Sequence, residues 1–138
     1  MNRTLYSLVG YLLLPILIIR LFVKSIKAPS YRKRVLERLG NIPKISTPNI
    51  WIHCVSVGEF RASIPLIDTL IKQHPAHRIL VSTTTPTGSD ALKQHYDNKV
   101  LHLYFPFDLG FIVKRYISKI KPDLCILMET EIWPNLIN

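Results

Sequence analysis

The chain has 138 residues, of which 48% are hydrophobic, so it is long and apolar enough to form one domain with its own core. This composition excludes a disordered chain. The formal net charge is +9, but residues 1–49 carry a net +8 and residues 50–138 a net +1. The basic character therefore belongs to an N-terminal arm and not to the globular part.

The N-terminal arm contains a 20-residue apolar stretch, residues 4–23, in which Arg20 is the one charged residue. As an α-helix this stretch would be about 30 Å long, the thickness of the hydrocarbon layer of a bilayer. Gly10 and Pro15 are tolerated in membrane helices. No small-residue cleavage site follows, which argues against a cleaved signal peptide. The stretch predicts a membrane anchor, and Arg20 allows either a span or a shallower insertion.

Basic residues are concentrated on the C-terminal side of this stretch, whereas Arg3 alone precedes it: Lys24, Lys27, Arg32, Lys33, Arg34 and Arg38. This asymmetry argues against a buried core helix and predicts that the body of the protein faces the cytoplasm. The same residues would attract anionic lipids. No aromatic stacking platform or DNA-reading motif accompanies them, so we expect no nucleic-acid partner. We expect a membrane anchor with its basic flank at 1–27, a basic linker at 28–48 and a folded domain at 49–138.

From residue 49 onward the sequence alternates between strand and helix patterns. The predicted strands are 49–57, 78–85, 100–108 and 123–130, and the predicted helices are 61–74, 89–96 and 111–120. Ser89 is predicted to cap the second of these helices. Continuous apolar strands that alternate with helices predict an α/β fold, a Rossmann-like parallel sheet covered on both faces.

The cysteines and two of the histidines are predicted to be buried structural residues. Cys54 and Cys125 fall in predicted buried strands, and no metal-binding spacing such as CxxC is present. His53 and His102 lie on apolar strands, where we expect them to be hydrogen-bonded core histidines. The other histidines are expected to be solvated: His74, His77 and His95.

Polar clusters follow the carboxyl ends of all four predicted strands: residues 56–59, residues 83–88, Asp108 and residues 129–131. Ligands bind beyond these ends in parallel sheets, so the clusters should converge on one rim. Carboxylates with threonines and glycines are typical of a sugar-handling cleft. The threonine-rich turn lacks the Gly-Lys-Ser/Thr ending of a P-loop, and its hydroxyls either bind a phosphate or satisfy the turn backbone. Phe105, Phe107 and Trp133 are expected to form the wall or the core.

The rim glutamates each have two interpretations. Glu59 lies at the start of a predicted helix, where it either complements the helix dipole or acts as a general base. Glu129 and Glu131 point to the same side if the strand continues through them. They are either a cap and an ion-pair partner or a catalytic or Mg²⁺-binding pair. With Asp108 they could form a hard-cation site, but nothing fixes its geometry, and we predict no metal.

Four ordered motifs, together with YRKRVLERLG at 31–40, resemble the N-terminal half of the bacterial 3-deoxy-D-manno-octulosonic acid (Kdo) transferases. They are IWIHCVSVGE at 50–59, TTTPTGS at 83–89, LYFPFDL at 103–109 and LMETEIWPNL at 127–136. The resemblance implies a GT-B glycosyltransferase with two Rossmann-like domains that face a cleft. It also implies transfer of Kdo from CMP-Kdo to the lipid A precursor in lipopolysaccharide inner-core synthesis, with inversion and without a metal or other cofactor.

The resemblance also implies roles for individual residues. Glu59 is expected to be the general base that deprotonates the acceptor hydroxyl, and Glu129 a second catalytic carboxylate of the cleft. The remaining polar residues of these motifs are expected to bind substrate: Ser56, Gly58, Thr84, Thr85, Thr87, Gly88 and Glu131.

The family pattern includes a second domain that binds the nucleotide donor, so we expect this chain to be a fragment with little or no activity on its own. Its expected location is the inner membrane, with the catalytic domain on the cytoplasmic side. One alternative is a non-catalytic, membrane-tethered α/β module that binds an anionic lipid or a partner protein. Another is a different GT-B glycosyltransferase that uses another activated sugar.

Overall fold

The computed structural model of the chain describes residues 3–128 and 133–137. An N-terminal arm precedes four strands that alternate with three helices. The arm consists of helix α1 (Arg3–Lys27), a 3₁₀ turn (Pro29–Arg32) and a short helix α2 (Val35–Arg38). The remaining elements are β1 (Asn49–His53), α3 (Val57–Gln73), β2 (Arg78–Thr83), α4 (Pro86–Tyr96), β3 (Leu101–Tyr104), α5 (Gly110–Ile120) and β4 (Leu124–Leu127).

The four strands form one parallel sheet in the order β3-β2-β1-β4. Strand β1 is central, and its Ile52 lies opposite Val81 on one side and Ile126 on the other. Each parallel connection runs through a helix, as parallel pairing requires. The predicted α/β class with a parallel sheet is confirmed.

Both faces of the sheet are covered, because successive side chains of a strand point to opposite faces. On one face the strands pack against α3 and α4, with a core that includes Ile52, Phe60, Ile67, Val81 and Leu92. On the other face they pack against α5, with a core that includes Trp51, Leu80, Leu103, Tyr116 and Ile120. This double coverage explains why the central strands are continuous apolar runs rather than alternating ones.

The segment 28–48 packs against the α/β domain. Ile42 is buried in the core on the α5 side, and the Ile45 amide donates to the Lys119 carbonyl oxygen at 2.9 Å. Gly40 has a φ of +74°, and a Cβ there would lie 2.7 Å from the Ile112 carbonyl oxygen. Glycine suits this position because it readily adopts a positive φ and has no Cβ that would collide with this oxygen. The segment is therefore a folded part of the domain surface.

Helix α1 exposes a continuous apolar stripe. Its seven most evenly spaced exposed apolar side chains recur every three or four residues, namely Leu5, Leu8, Leu12, Ile16, Ile19, Val23 and Ile26, and further exposed side chains flank them. This spacing places them along one face of the helix. Residues Leu5–Lys27 are long and apolar enough to cross a membrane, which is weak support for an anchor because signal sequences and buried helices share this property.

Strands β1 and β2 end earlier than predicted because a side chain caps the helix that follows each of them. Strand β1 ends at His53 and α3 begins at Val57, because Ser56 caps that helix through the Glu59 amide. The prediction that Ser89 caps α4 is wrong. Thr85 is the cap, and it accepts a hydrogen bond from the Gly88 amide. Pro86 suits the first helical position because its missing N–H is not needed there.

The predicted environments hold for Cys54 and for most of the histidines but not for Cys125. Cys54 is buried, whereas Cys125 is exposed because β4 is an edge strand in the described part of the chain. His53 accepts or donates a hydrogen bond at 2.9 Å to Ser82 Oγ, and His102 one at 2.9 Å to Thr83 Oγ1. His74 and His95 are exposed, and His77 is half-buried.

Candidate active site

Ser56 and Glu59 form a variant of the capping box at the start of α3, in which the carboxylate accepts from the amide of the residue before the cap. The Ser56 hydroxyl accepts from the Glu59 amide at 3.3 Å and donates to Glu59 Oε1 at 3.0 Å. The Val55 amide donates to Glu59 Oε2 at 2.7 Å. Each carboxylate oxygen retains a further acceptor position, so this half-buried carboxylate can still receive a proton from a bound hydroxyl.

Gly58 lies in the first turn of the same helix and is exposed. A Cβ at this position would meet Ser56 Oγ at 3.7 Å, an ordinary contact. The local fold therefore does not require glycine here.

The polar groups at the start of α4 are hydrogen-bonded to one another. Thr85 Oγ1 accepts from the Gly88 amide at 3.2 Å and from Thr87 Oγ1 at 3.2 Å. A Cβ at Gly88 would lie 3.1 Å from the Thr83 side chain, so this glycine allows α4 to pack closely on β2. Local structure alone therefore explains the presence of Thr85, Thr87 and Gly88 at these positions, and no bound ligand is needed to explain them.

Thr84 joins the carboxyl ends of the two central strands. Its Oγ1 donates to the Val55 carbonyl oxygen at 2.8 Å, and its amide lies 3.3 Å from the same oxygen. Val55 in turn holds Glu59 through its amide. The first two predicted polar clusters are therefore connected at one edge of the sheet.

Helix α1 packs along this edge through the face opposite its exposed stripe. Tyr6 donates to Asp108 Oδ2 at 3.0 Å, and the Ser7 hydroxyl donates to Asn135 Oδ1 at 3.1 Å. Gly10 brings the helix close to Leu109, since a Cβ at Gly10 would lie 2.5 Å from Leu109 Cδ2. These contacts fix the N-terminal half of α1 against the loop that follows β3.

A cavity of about 660 Å³ lies between α1 and the strand ends. The α1 side is mainly apolar and includes Val9, Leu13 and Leu17. The opposite side contains polar groups of the rim, namely Arg38, Thr84 and Asp108. Aromatic residues complete the wall, as predicted: Phe105, Phe107 and Trp133. The cavity thus presents an apolar and a polar surface to the same bound molecule.

Two charged residues of the cavity are buried. Arg38 is 5% exposed and Asp108 is 8% exposed. Asp108 Oδ2 accepts from Tyr6 and from the Asn135 amide, the latter at 3.1 Å. Burial lowers the pKa of the Arg38 guanidinium from its usual value. Both residues line the cavity.

The predicted site residues divide into three groups. Thr84 lines the cavity. Ser56, Gly58, Glu59, Thr85, Thr87 and Gly88 lie at the first turns of α3 and α4 and are not among its lining residues. Glu129 and Glu131 lie outside the described residues. Within residues 3–128 and 133–137, no group of three or more His, Cys, Asp or Glu side chains is placed to hold a metal ion.

Arg38 was not predicted as a cavity residue, because in the sequence it is one of six similar basic residues after the apolar stretch. No local pattern separates it from its neighbours, because its burial depends on contacts with residues 46 and more positions away. Arg34 is also not a free surface charge. It pairs with Glu37 at 2.6 Å and donates to the His102 carbonyl oxygen at 2.8 Å.

Comparison with known proteins gives a consistent family match. Residues 33–138 match the family model described as 3-deoxy-D-manno-octulosonic-acid transferase (kdotransferase). The chain is 40% identical to 3-deoxy-D-manno-octulosonic acid transferase of Haemophilus influenzae, over 100% of this chain and 33% of that protein. It is 34% identical to the enzyme of that name from Rickettsia bellii, over 97% of this chain and 32% of that protein.

A plant protein gives a similar match. The chain is 32% identical to a probable mitochondrial 3-deoxy-D-manno-octulosonic acid transferase of Arabidopsis thaliana, over 96% of this chain and 30% of that protein. The chain thus spans about a third of the length of these curated relatives. Because the family model covers most of the chain, the chain belongs to the Kdo transferase family and corresponds to its N-terminal domain.

Proposed function

We propose that this chain is the acceptor-binding domain of a Kdo transferase that transfers Kdo from CMP-Kdo to the lipid A precursor in lipopolysaccharide synthesis. The names of the relatives support Kdo transfer. The observation that carries the acceptor assignment is the two-sided cavity between α1 and the strand ends. An acylated sugar requires an apolar surface for its chains and polar groups for its headgroup, and this cavity offers both.

Glu59 is the proposed general base. Its carboxylate removes the proton from the acceptor hydroxyl, whose oxygen then forms a bond to the anomeric carbon of Kdo while the bond to the phosphate of CMP breaks. The Val55 amide and the Ser56 hydroxyl hold the carboxylate in one orientation. Val55 also lines the cavity, so a hydroxyl bound beside Val55 would be close to this base. Glu129 remains the proposed second carboxylate.

The proposed donor contacts lie in the part of the family's length that this chain does not span. We therefore propose a GT-B arrangement in which this domain faces a separate nucleotide-binding domain. The wall of Thr84 and Asp108 would then be the acceptor side of the cleft. Ser56, Gly58, Thr85, Thr87, Gly88 and Glu131 stay proposed substrate contacts.

We further propose that α1 lies in the plane of the cytoplasmic leaflet of the inner membrane. A helix that spanned the bilayer with its C-terminal end in the cytoplasm would carry Tyr6 to the opposite side from Asp108. These two side chains are hydrogen-bonded at 3.0 Å. The apolar stripe faces away from the domain, as expected for an interfacial helix.

The direct test is a transfer assay with the complete enzyme that contains this chain. We expect transfer of Kdo from CMP-Kdo to the lipid A precursor, detected by mass spectrometry of the lipid product. CMP should inhibit competitively, and UDP should not. Inhibition by UDP alone would instead support a different glycosyltransferase. Absence of transfer with retained lipid binding would support the non-catalytic module, which the names of the relatives do not favour.

A further inference from the structure

Arg38 is a buried cation whose hydrogen-bonding capacity is mostly unused. Its side chain is 5% exposed, and Nη2 donates to the Thr84 carbonyl oxygen at 2.8 Å. Its Nε is buried and has no hydrogen-bond partner. A guanidinium carries five N–H donors, so a single neutral carbonyl leaves most of them available.

No carboxylate of the described residues forms an ion pair with this guanidinium, and Glu37 acts on it only as a nearby charge. Among residues 3–128 and 133–137, no carboxylate oxygen lies within 4.0 Å of an Arg38 nitrogen. The adjacent Glu37 is bound by Arg34 at 2.6 and 2.8 Å and by the Tyr104 amide at 2.9 Å. The Tyr104 ring, with its centroid 4.2 Å from Arg38 Cζ, offers a partial cation–π contact. A buried charge that is not directly hydrogen-bonded to a counter-charge is costly, and an anionic ligand would reduce that cost.

The cavity beside Arg38 has a second unpaired polar atom. Asp108 Oδ1 is buried without a hydrogen-bond partner, whereas Oδ2 is occupied by Tyr6 and the Asn135 amide. A carboxylate oxygen accepts hydrogen bonds from hydroxyl groups. Arg38 and Asp108 therefore offer complementary positions, for an anion and for a hydroxyl, on the same wall.

We propose that Arg38 binds a phosphate group of an amphiphile, whose hydroxyl-bearing headgroup contacts Asp108 and whose apolar chain lies along α1. The planar guanidinium can contact two phosphate oxygens at once. A free phosphate has the same chemistry, but the apolar wall formed by Leu13 and Leu17 favours a phosphate carried by a lipid. This inference names the residue that recognises the proposed acceptor, and it depends on the proposed function only for the natural identity of that ligand.

The test uses the 138-residue chain in neutral detergent micelles and three probes: phosphatidic acid, diacylglycerol with the same acyl chains, and inorganic phosphate. Calorimetric titration should show saturable binding of phosphatidic acid and none of diacylglycerol. Arg38→Gln should weaken binding about 10- to 100-fold, the range typical of one charge-assisted contact. Arg115→Gln is the matched control, since Arg115 is an exposed arginine of α5 outside the cavity, and its affinity should match that of the unmodified chain.

Equal affinity of Arg38→Gln and the unmodified chain would overturn the proposal, as would equal binding of phosphatidic acid and diacylglycerol. Binding of inorganic phosphate as tight as that of phosphatidic acid, and equally dependent on Arg38, would overturn the lipid assignment. Circular dichroism checks the fold of each variant. These titrations contain no sugar donor, so failure of Kdo transfer in the complete enzyme and failure of the anion site are separate results.

A measurement on the unmodified chain covers the case in which Arg38→Gln does not fold. The Phe107 amide donates to the Arg38 carbonyl oxygen at 2.9 Å, and the Thr84 carbonyl oxygen contacts the guanidinium. Phosphatidic acid should therefore slow hydrogen exchange in peptides that contain residues 84 and 107. Unchanged exchange in both peptides at saturating phosphatidic acid would overturn the proposal.

Discussion

The Ser56 hydroxyl and the Glu59 carboxylate are hydrogen-bonded to each other across the first turn of α3, with Ser56 Oγ 3.0 Å from Glu59 Oε1. The two interpretations of Glu59, an acid that complements the helix dipole and a general base, therefore do not exclude each other. The cap fixes the position of the carboxylate, and a fixed carboxylate is what a general base requires. The two roles can be separated because capping needs an acceptor atom, whereas proton removal needs an ionisable one.

Glu59→Gln should preserve the fold and abolish most of the activity. The glutamine side-chain carbonyl can still accept from the Val55 amide, so we expect the free energy of unfolding to change by less than about 1 kcal/mol. Loss of the base should lower kcat of the complete enzyme by about 10²- to 10⁴-fold. Urea unfolding and the transfer assay measure the two effects. Glu59→Ala is the comparison, since it also removes the side-chain acceptor of the Val55 amide and should cost about 1 kcal/mol more, while Ser56 still caps the helix.

If Glu59→Gln retained full kcat while Glu59→Ala lost stability, Glu59 would be a capping residue alone. The base would then have to be sought among other carboxylates of the rim.

Gly58→Ala should have little effect on stability but should impair activity if the acceptor approaches the backbone there. A Cβ at Gly58 meets only an ordinary contact, and alanine favours the helix by about 0.5–1 kcal/mol. Gly40→Ala provides the contrast, because Gly40 has a φ of +74° and faces the Ile112 carbonyl oxygen. We expect it to destabilise the chain by roughly 2–4 kcal/mol. Urea unfolding of both variants checks the contrast, and a normal KM and kcat for Gly58→Ala would remove Gly58 from the proposed substrate contacts.

Stability should decrease as the pH falls from about 6.5 towards 4. Burial lowers the pKa of His53 to about 4, and burial together with the charges of Arg34, Lys93 and Arg38 lowers that of His102 to about 3. In this window the unfolded chain binds protons that the folded chain excludes, so acid favours unfolding. The expected loss is on the order of 3 kcal/mol for each histidine.

Urea unfolding at several pH values tests this dependence. His53→Gln should reduce the slope between pH 6.5 and 4, whereas substitution of the exposed His74 by glutamine should leave the slope unchanged. Identical slopes in all three chains would show that His53 does not contribute.

The two cysteines should react at different rates with a thiol reagent. Cys125 is exposed on the edge strand β4, whereas Cys54 is fully buried and lies 3.5 Å from Ser63 Oγ. Burial raises the pKa of both thiols to about 11, so the expected difference in rate comes from access of the reagent and not from the fraction of thiolate. We expect one rapid modification of the native chain and a second only in denaturant. Peptide mass mapping identifies the modified residue, and rapid modification of Cys54 would contradict the described packing.

Spin labels on the apolar stripe of α1 should report a single membrane depth. Single cysteines at Leu5, Leu12 and Ile19, in a chain whose own cysteines are replaced by alanine, would each carry a nitroxide. An in-plane helix places all three labels at similar depths, whereas a spanning helix separates the first and last by about 21 Å. Electron paramagnetic resonance with oxygen and a nickel chelate as relaxation agents measures these depths. A steady gradient from Leu5 to Ile19 would establish a span.

The sequence predicted the α/β core well because that part of the fold depends on local pattern. The continuous apolar runs around Trp51 and Leu80 identify two-sided strands, and both residues are buried as expected. Strand ends were predicted less accurately. They depend on which hydroxyl caps the next helix, and Thr85 and Ser89 are both acceptable caps by composition. Only the three-dimensional packing of Ser89 against His102 decides between them.

The cavity could not be predicted from the sequence. Its two walls come from α1 and from loops about 100 residues later, as the contact between Tyr6 and Asp108 shows. An apolar stretch of this length predicts a membrane helix, but it does not show that one face of the helix packs against the rest of the protein. The close contact between Gly10 and Leu109 shows which face of α1 packs against the domain, and this contact is known only from the structure. Tertiary contacts of this kind leave no periodic signal in a single sequence.

The position of α1 along the strand ends has a kinetic consequence. If the helix rests in one leaflet, the cavity opens at the boundary between lipid and water, and the proposed acylated acceptor could enter sideways without leaving the bilayer. Its effective concentration is then its mole fraction in the lipid and not its amount per volume of solution. Adding inert lipid at constant total acceptor should slow the enzyme by surface dilution, while adding buffer should change little.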